Sequence, residues 1–149
     1  MAEYKNILVA TDLHDEALPV VREALAIAKQ YHAKLSVISV IPTVPYYLAS
    51  GLSSIADIEA QLEAETRSRL DKAKHALKHQ FSDQFDPLDF YLEKGTAKQE
   101  IVRLADKLNI DLIVIGSHGH RGVQRFLGST SSAVLHRANC DVLVIRAKR

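Results

Sequence analysis

The sequence predicts an α/β fold: an open parallel sheet with helices on both faces. Three observations carry this. Short apolar runs alternate with longer segments of helical periodicity, in the order β-α-β-α-β-α-β-α-β. Two of the runs, "NILVAT" and "DLIVIG", are apolar at successive positions between polar ends rather than at every second position, the mark of strands buried on both faces. Turn residues and helix-start signals fall between the runs rather than within them. With 149 residues, the chain suits one domain, residues 1–149, with a single core.

The first strand is Asn6 to Thr11. In the next segment Leu18, Val21, Leu25, Ala28 and Tyr31 recur at spacings of three and four, giving one apolar helix face. Asp15 is placed to cap that helix, and Pro19 falls in its first turn. The second strand, Ala33 to Ile41, is stopped by Pro42 and Pro45. A long amphipathic helix is predicted over Ile55 to Gln80, with the stripe Ile58, Leu62, Leu70, Ala73 and Leu77 and an S-x-x-D start at Ser54 and Asp57. "PLDFYLEKG" is less apolar and reads as an edge strand. Thr96 and Gln99 form a capping-box pair before a helix carrying Ile101, Leu104, Ala105 and Leu108. The fourth strand runs from Asp111 to Gly116, a short helix from Ser129 to Arg137, and the last strand from Asp141 to Arg146.

Composition narrows the function. Nineteen basic residues against eighteen acidic ones give a formal net charge of +1, which speaks against a nucleic-acid-binding domain. No stretch approaches the roughly 20 apolar residues of a membrane span, and the N-terminus lacks the apolar core of a signal peptide. Cys140 is alone, so no intrachain disulfide forms. The expectation is a cytoplasmic protein with Cys140 as a small buried side chain beside the last strand.

One stretch stands apart. "GSHGHRGVQRFLGSTSS", from Gly116 to Ser132, holds four of the chain's six glycines. It follows a strand and leads into a helix. Glycine lets consecutive N–H groups converge on an anion, and a helix N-terminus adds free donors and partial positive charge. Arg121, Arg125 and the hydroxyls of Ser129, Thr130 and Ser131 lie in the same stretch. The spacing matches neither the Walker motif nor the dinucleotide fingerprint. On chemistry alone the stretch is either a phosphate cradle or a turn and cap without a ligand. Asp12, just past the first strand, either binds a ribose hydroxyl or adenine amine, or caps the next helix. His118 and His120 have no further ligands in evidence, and the pair His75 and His79 falls on an exposed helix face, so no metal site is expected. Ser117 lacks the nucleophile-elbow context, and no catalytic residue is assigned.

The strand "DLIVIGSHG", the downstream "LGSTSSAVLHRANCDVLVIR" and the opening "NILVATDL" resemble a universal stress protein domain over essentially the whole chain. The resemblance implies a five-stranded parallel sheet in the order 3-2-1-4-5, Rossmann-like and akin to the adenine nucleotide alpha hydrolases. It also implies a homodimer paired through the last strand. One branch of that family binds ATP through G-x2-G-x9-G-[ST]. Gly116, Gly119, Gly128 and Ser129 match it, with eight residues rather than nine between Gly119 and Gly128. The resemblance places Ala10 and Asp12 in the nucleoside pocket and Val40, after the second strand, on the adenine through its backbone. Ile115 and Gly116 would flank the ribose. Gly119, Ser129, Thr130 and Ser131 would hold phosphate, with Ser117, His118 and Gly122 in the same loop. The implied ligand is ATP with Mg²⁺, in a stress-response module with a signalling partner; a nucleotide-free dimer and a slow ATPase are the alternatives.

Overall fold

The computed structural model describes residues 3–43, 54–80, 88–117 and 128–146. Five strands, β1 (Asn6–Ala10), β2 (Lys34–Pro42), β3 (Asp89–Gly95), β4 (Leu112–Gly116) and β5 (Asp141–Ile145), alternate with four helices. These are α1 (Leu18–Tyr31), α2 (Ile55–Gln80), α3 (Ala97–Lys107) and α4 (Ser129–Arg137). The strands form one parallel sheet in the order 3-2-1-4-5. The chain winds outward from β1 to β3, returns to place β4 on the other side of β1, and ends on β5 at the far edge. The order therefore reverses between β1 and β4.

The alternation of side chains builds two cores. Ile7 and Val9 of β1, Leu35 and Val37 of β2, and Leu112 and Val114 of β4 face α1 and Leu77 of α2. Leu8 and Ala10, Ile38, and Ile113 and Ile115 face Ile101, Leu104 and Ala105 of α3 and Val134 of α4. Ile7, Leu8 and Val9 are all fully buried, which is why their run is unbroken by polar residues.

Several local expectations change. Asp15 does not cap α1: it opens a 3-10 turn, Asp15–Ala17, and Ala17 takes the N-cap position without a side-chain bond. Tyr31 closes α1 but is 40% exposed, its ring edge-on to Tyr4 at 5.1 Å between centroids. Ser54 does cap α2, its Oγ accepting the Asp57 N–H at 3.1 Å. Thr96 occupies the N-cap of α3 without a side-chain bond; its carbonyl instead accepts the N–H groups of Gln99 and Glu100. Of the α2 stripe, Leu70, Ala73 and Leu77 are buried, whereas Ile58 and Leu62 are half-buried. At 26 residues, α2 is about 39 Å long by its rise per residue. The seven-residue β3 covers roughly 23 Å. The first turns of α2 thus overshoot the sheet. Cys140 is half-buried against the α3 and α4 core, and His75 and His79 are exposed on α2.

Candidate functional site

The candidate site lies where the strand order reverses, beyond the carboxyl ends of β1 and β4, the usual ligand position in an open α/β sheet. The sheet pairing fixes its floor. Ala10 stands opposite Ile38 on one side and Ile115 on the other. Both Ala10 and Ile115 are buried and turn their side chains into the α3 and α4 core. They form the base of the crevice and offer it no functional group.

Past Ala10 the chain leaves the sheet through two interlocked turns. Thr11 Oγ1 accepts the Leu13 N–H at 3.0 Å, and Asp12 Oδ1 accepts the His14 N–H at 3.0 Å. Each is a side chain bonding its own backbone two residues on. Leu13 adopts φ 64° and is buried against Leu70 and Ala73 of α2. Asp12 therefore organises the β1 end; it does not cap α1. The T-D-L-H sequence carries this turn chemistry, and with it Thr11 and Leu13 could have been singled out beside Asp12.

Val40 lies inside β2, opposite Glu93, rather than after the strand. Its backbone still faces the crevice. The Ile38 carbonyl accepts the Thr11 N–H at 3.0 Å, so the backbone groups of Ile38 point toward β1. By the two-residue alternation those of Val40 point the same way. At that level β1 has ended, and Leu13, which a continued pairing would direct to the Val40 carbonyl, bonds Thr11 instead. A donor and an acceptor of β2 are thus turned toward the crevice where the neighbouring strand stops.

On the β4 side, Gly116 ends the strand and Ser117, 6% exposed, follows it. The Ser117 N–H donates to the Ile145 carbonyl of β5 at 2.8 Å, and its carbonyl accepts the Gly128 N–H at 2.6 Å. Gly128 is the N-cap of α4, with φ −61° and ψ 154°. Gly116 and Gly128 are not in the left-handed region; among the described residues that belongs to Gly95 alone of the glycines. Positive φ is therefore not what glycine supplies at these two positions. The Ser132 N–H closes the first turn of α4 on the Gly128 carbonyl at 2.9 Å. The N–H groups of Ser129, Thr130 and Ser131 precede that bond and have no intrahelical acceptor. Ser129 is exposed and Thr130 half-buried. Ser131 differs: it is 3% exposed, and its Oγ donates to the Gly116 carbonyl at 2.5 Å. Its hydroxyl proton goes to the Gly116 carbonyl, while its backbone N–H stays among the donors of the first turn. His118, Gly119 and Gly122 lie outside the described residues, as do His120, Arg121 and Arg125.

The site thus brings together Asp12, the Val40 backbone, Gly116, Ser117 and the N-terminus of α4. Among the described residues no group of three His, Cys, Asp or Glu side chains could hold a metal ion. None of the helices described is long and apolar enough to cross a membrane.

Comparison with known proteins agrees with this architecture. The universal stress protein family model matches residues 3–146. Universal stress protein A homolog 1 of Coxiella burnetii is 37% identical over 147 residues, covering 97% of this chain and 98% of that protein. Homolog 2 of the same organism is 36% identical over 99% of each. Among solved structures, the universal stress protein UspA of Lactobacillus plantarum superposes with a TM-score of 0.75 at 30% identity, covering 98% of this chain and 100% of that one. A universal stress protein solved in complex with cAMP gives a TM-score of 0.63 at 27% identity, over 99% of this chain and 100% of that one. The chain belongs to the universal stress protein family.

Proposed function

We propose that the protein is an adenine-nucleotide-binding stress-response module, a cytoplasmic homodimer that binds ATP at the crevice between β1 and β4. The observation that carries this is the bond between the Gly128 N–H and the Ser117 carbonyl. The segment between Gly119 and Gly128 is one residue shorter than the ATP motif of the resembled branch. The bond nevertheless brings the N-cap of α4 to the end of β4, so the free N–H groups of its first turn stand beside the crevice. A helix N-terminus in that position suits a phosphate. The Val40 backbone offers adenine one donor and one acceptor, and Asp12 offers the ribose a carboxylate. The related structure in complex with cAMP supports a nucleotide ligand of this class. Mg²⁺ would be held chiefly by the phosphates and water, as is usual for this ion.

The module acts by binding rather than by catalysis: the stretch from Gly116 to Ser132 contains no lysine to reach transferring phosphate. The shortened spacing favours a second reading, a dimeric signalling protein that binds no nucleotide.

Thermal unfolding with and without millimolar ATP and Mg²⁺ separates the two. Ligand at about 100 times its Kd stabilises by roughly 2.7 kcal/mol, a rise in Tm on the order of 5–10 °C for a domain of this size. Gly128→Val should abolish the rise by filling the approach to the α4 N-terminus. Gly128→Ala, compatible with the same backbone angles, should reduce it less. No rise in the unmutated protein, together with a flat calorimetric titration, would leave the nucleotide-free dimer as the answer.

A further inference from the structure

Resting on the nucleotide reading above, we propose that Ser131 is a positioning residue of the site. Its hydroxyl holds the N-terminus of α4 against the end of β4 and does not contact the ligand. The reason lies in the sheet. The Ser117 N–H points to β5, so by alternation the backbone groups of Gly116 point to β1. The pairing of β1 with β4 stops at Ala10 and Ile115. The Gly116 carbonyl is therefore the first acceptor of β4 without a strand partner, and Ser131 Oγ takes that place at 2.5 Å. A partly buried acceptor left without a donor is costly, and Ser131, 3% exposed, is packed where it can supply one.

Two further bonds share the same junction. Gly128 donates to the Ser117 carbonyl, and Ser117 donates to Ile145. The three together tie β5, the end of β4 and the first turn of α4 into one unit. The donors proposed for phosphate, the N–H groups of Ser129, Thr130 and Ser131 and the hydroxyls of Ser129 and Thr130, are aimed by that unit. The Gly116 carbonyl, on the ribose side, is aimed by it too. Loss of the Ser131 hydroxyl should consequently disturb ribose and phosphate recognition alike, whereas a direct phosphate ligand would affect only the phosphates.

Calorimetric titration with adenosine and with ATP plus Mg²⁺ tests this, on the unmutated protein and on Ser129→Ala, Ser131→Ala, Ser131→Cys and Ser131→Thr. Ser131→Ala and Ser131→Cys should weaken adenosine on the order of tenfold for the lost bond, and ATP by at least as much. Ser131→Thr, which keeps the hydroxyl, should restore both. Ser129→Ala should weaken ATP and leave adenosine unchanged. Amide hydrogen exchange at Gly128 in the ligand-free protein should quicken in Ser131→Ala and Ser131→Cys. A loss confined to ATP, or unchanged affinity for both ligands, overturns the proposal. If the unmutated protein binds neither ligand, the nucleotide reading fails and the proposal with it, an outcome the wild-type titration alone identifies.

Discussion

Arg69 is the one described residue whose side chain holds a buried polar atom without a partner: its Nε makes no hydrogen bond. Its Nη2 donates to Thr66 Oγ1 at 3.2 Å, and no carboxylate among the described residues lies within ion-pair distance. A partly desolvated charge of this kind contributes little or opposes folding, while the aliphatic stem still packs. Arg69→Met should therefore leave urea stability unchanged or raise it by up to about 1 kcal/mol. A clear fall in the denaturation midpoint would show that the charge has a stabilising role. Cys140 gives a second expectation at this scale. Burial, with Asp141, Asp106 and Asp111 nearby, pushes its thiol above the ordinary range. Since the thiolate is the reactive form, alkylation by iodoacetamide at pH 8 should be far slower in the folded protein than in urea. Residue-level legibility was uneven for a physical reason. At Asp12 the residue type suits a ligand and a helix cap alike, and the turn it closes on the His14 N–H is neither. The commitment of Ser131 was not legible, because it depends on where the pairing of β1 and β4 stops, a long-range fact that no local pattern encodes.

At the scale of elements, strong local signals were read well. α2 and α4 begin and end where sequence placed them, since Ser54 and Gly128 mark their starts and apolar spacing fixes their span. The start of α1 differs from the sequence expectation: Asp15 has the chemistry of a cap, but the paired turns at Thr11 and Asp12 carry the chain through a 3-10 turn first. Two junctions around β3 yield tests. Gly95 has φ +144°, and a Cβ there would meet Glu100 Oε1 at 3.0 Å. Gly95→Ala should lower stability by about 1–3 kcal/mol through backbone strain, measurable by urea unfolding. At the top of α2, Glu63 bonds Lys94 at 2.8 Å and Arg67 at 3.1 Å. Lys94 first, then Arg67, holds the Glu63 carboxyl below its usual range. A folded pKa below the unfolded one gives stability that is present above the unfolded value and lost as pH falls through the folded one. The stability difference between the unmutated protein and Lys94→Met should be greatest above the ordinary carboxylate range and be lost as pH falls below it. A difference that persists at the lowest pH would mean that Lys94 acts through packing rather than charge.

For the whole molecule, the order of strands follows from sequence only through the family resemblance, because periodicity identifies strands and not their neighbours. Once the order is known, β5 becomes a question. It is an edge strand, and Leu143 on it is 37% exposed. Edges of this kind pair with another chain unless blocked. The register tells which backbone groups are available. Ile145 accepts from Ser117, so the backbone groups of Asp141, Leu143 and Ile145 face β4, and those of Val142 and Val144 face outward. A proline at 144 removes an outward N–H and no bond between β4 and β5, the setting in which an edge strand accepts proline. In the proposed homodimer two copies of β5 meet along this edge. Val144→Pro should then convert the dimer to a folded monomer, seen as a halved mass by light scattering with an unchanged far-ultraviolet dichroism spectrum. Val142→Pro should act in the same direction. A dimer that survives both substitutions would place the contact elsewhere. A monomeric unmutated protein would leave the β5 edge open to a partner of another kind. Because Ile145 also bonds Ser117, the dimer edge and the α4 N-terminus share one strand. If pairing steadies β5, the monomeric variant should bind ATP more weakly, although no residue of the nucleotide site has been changed.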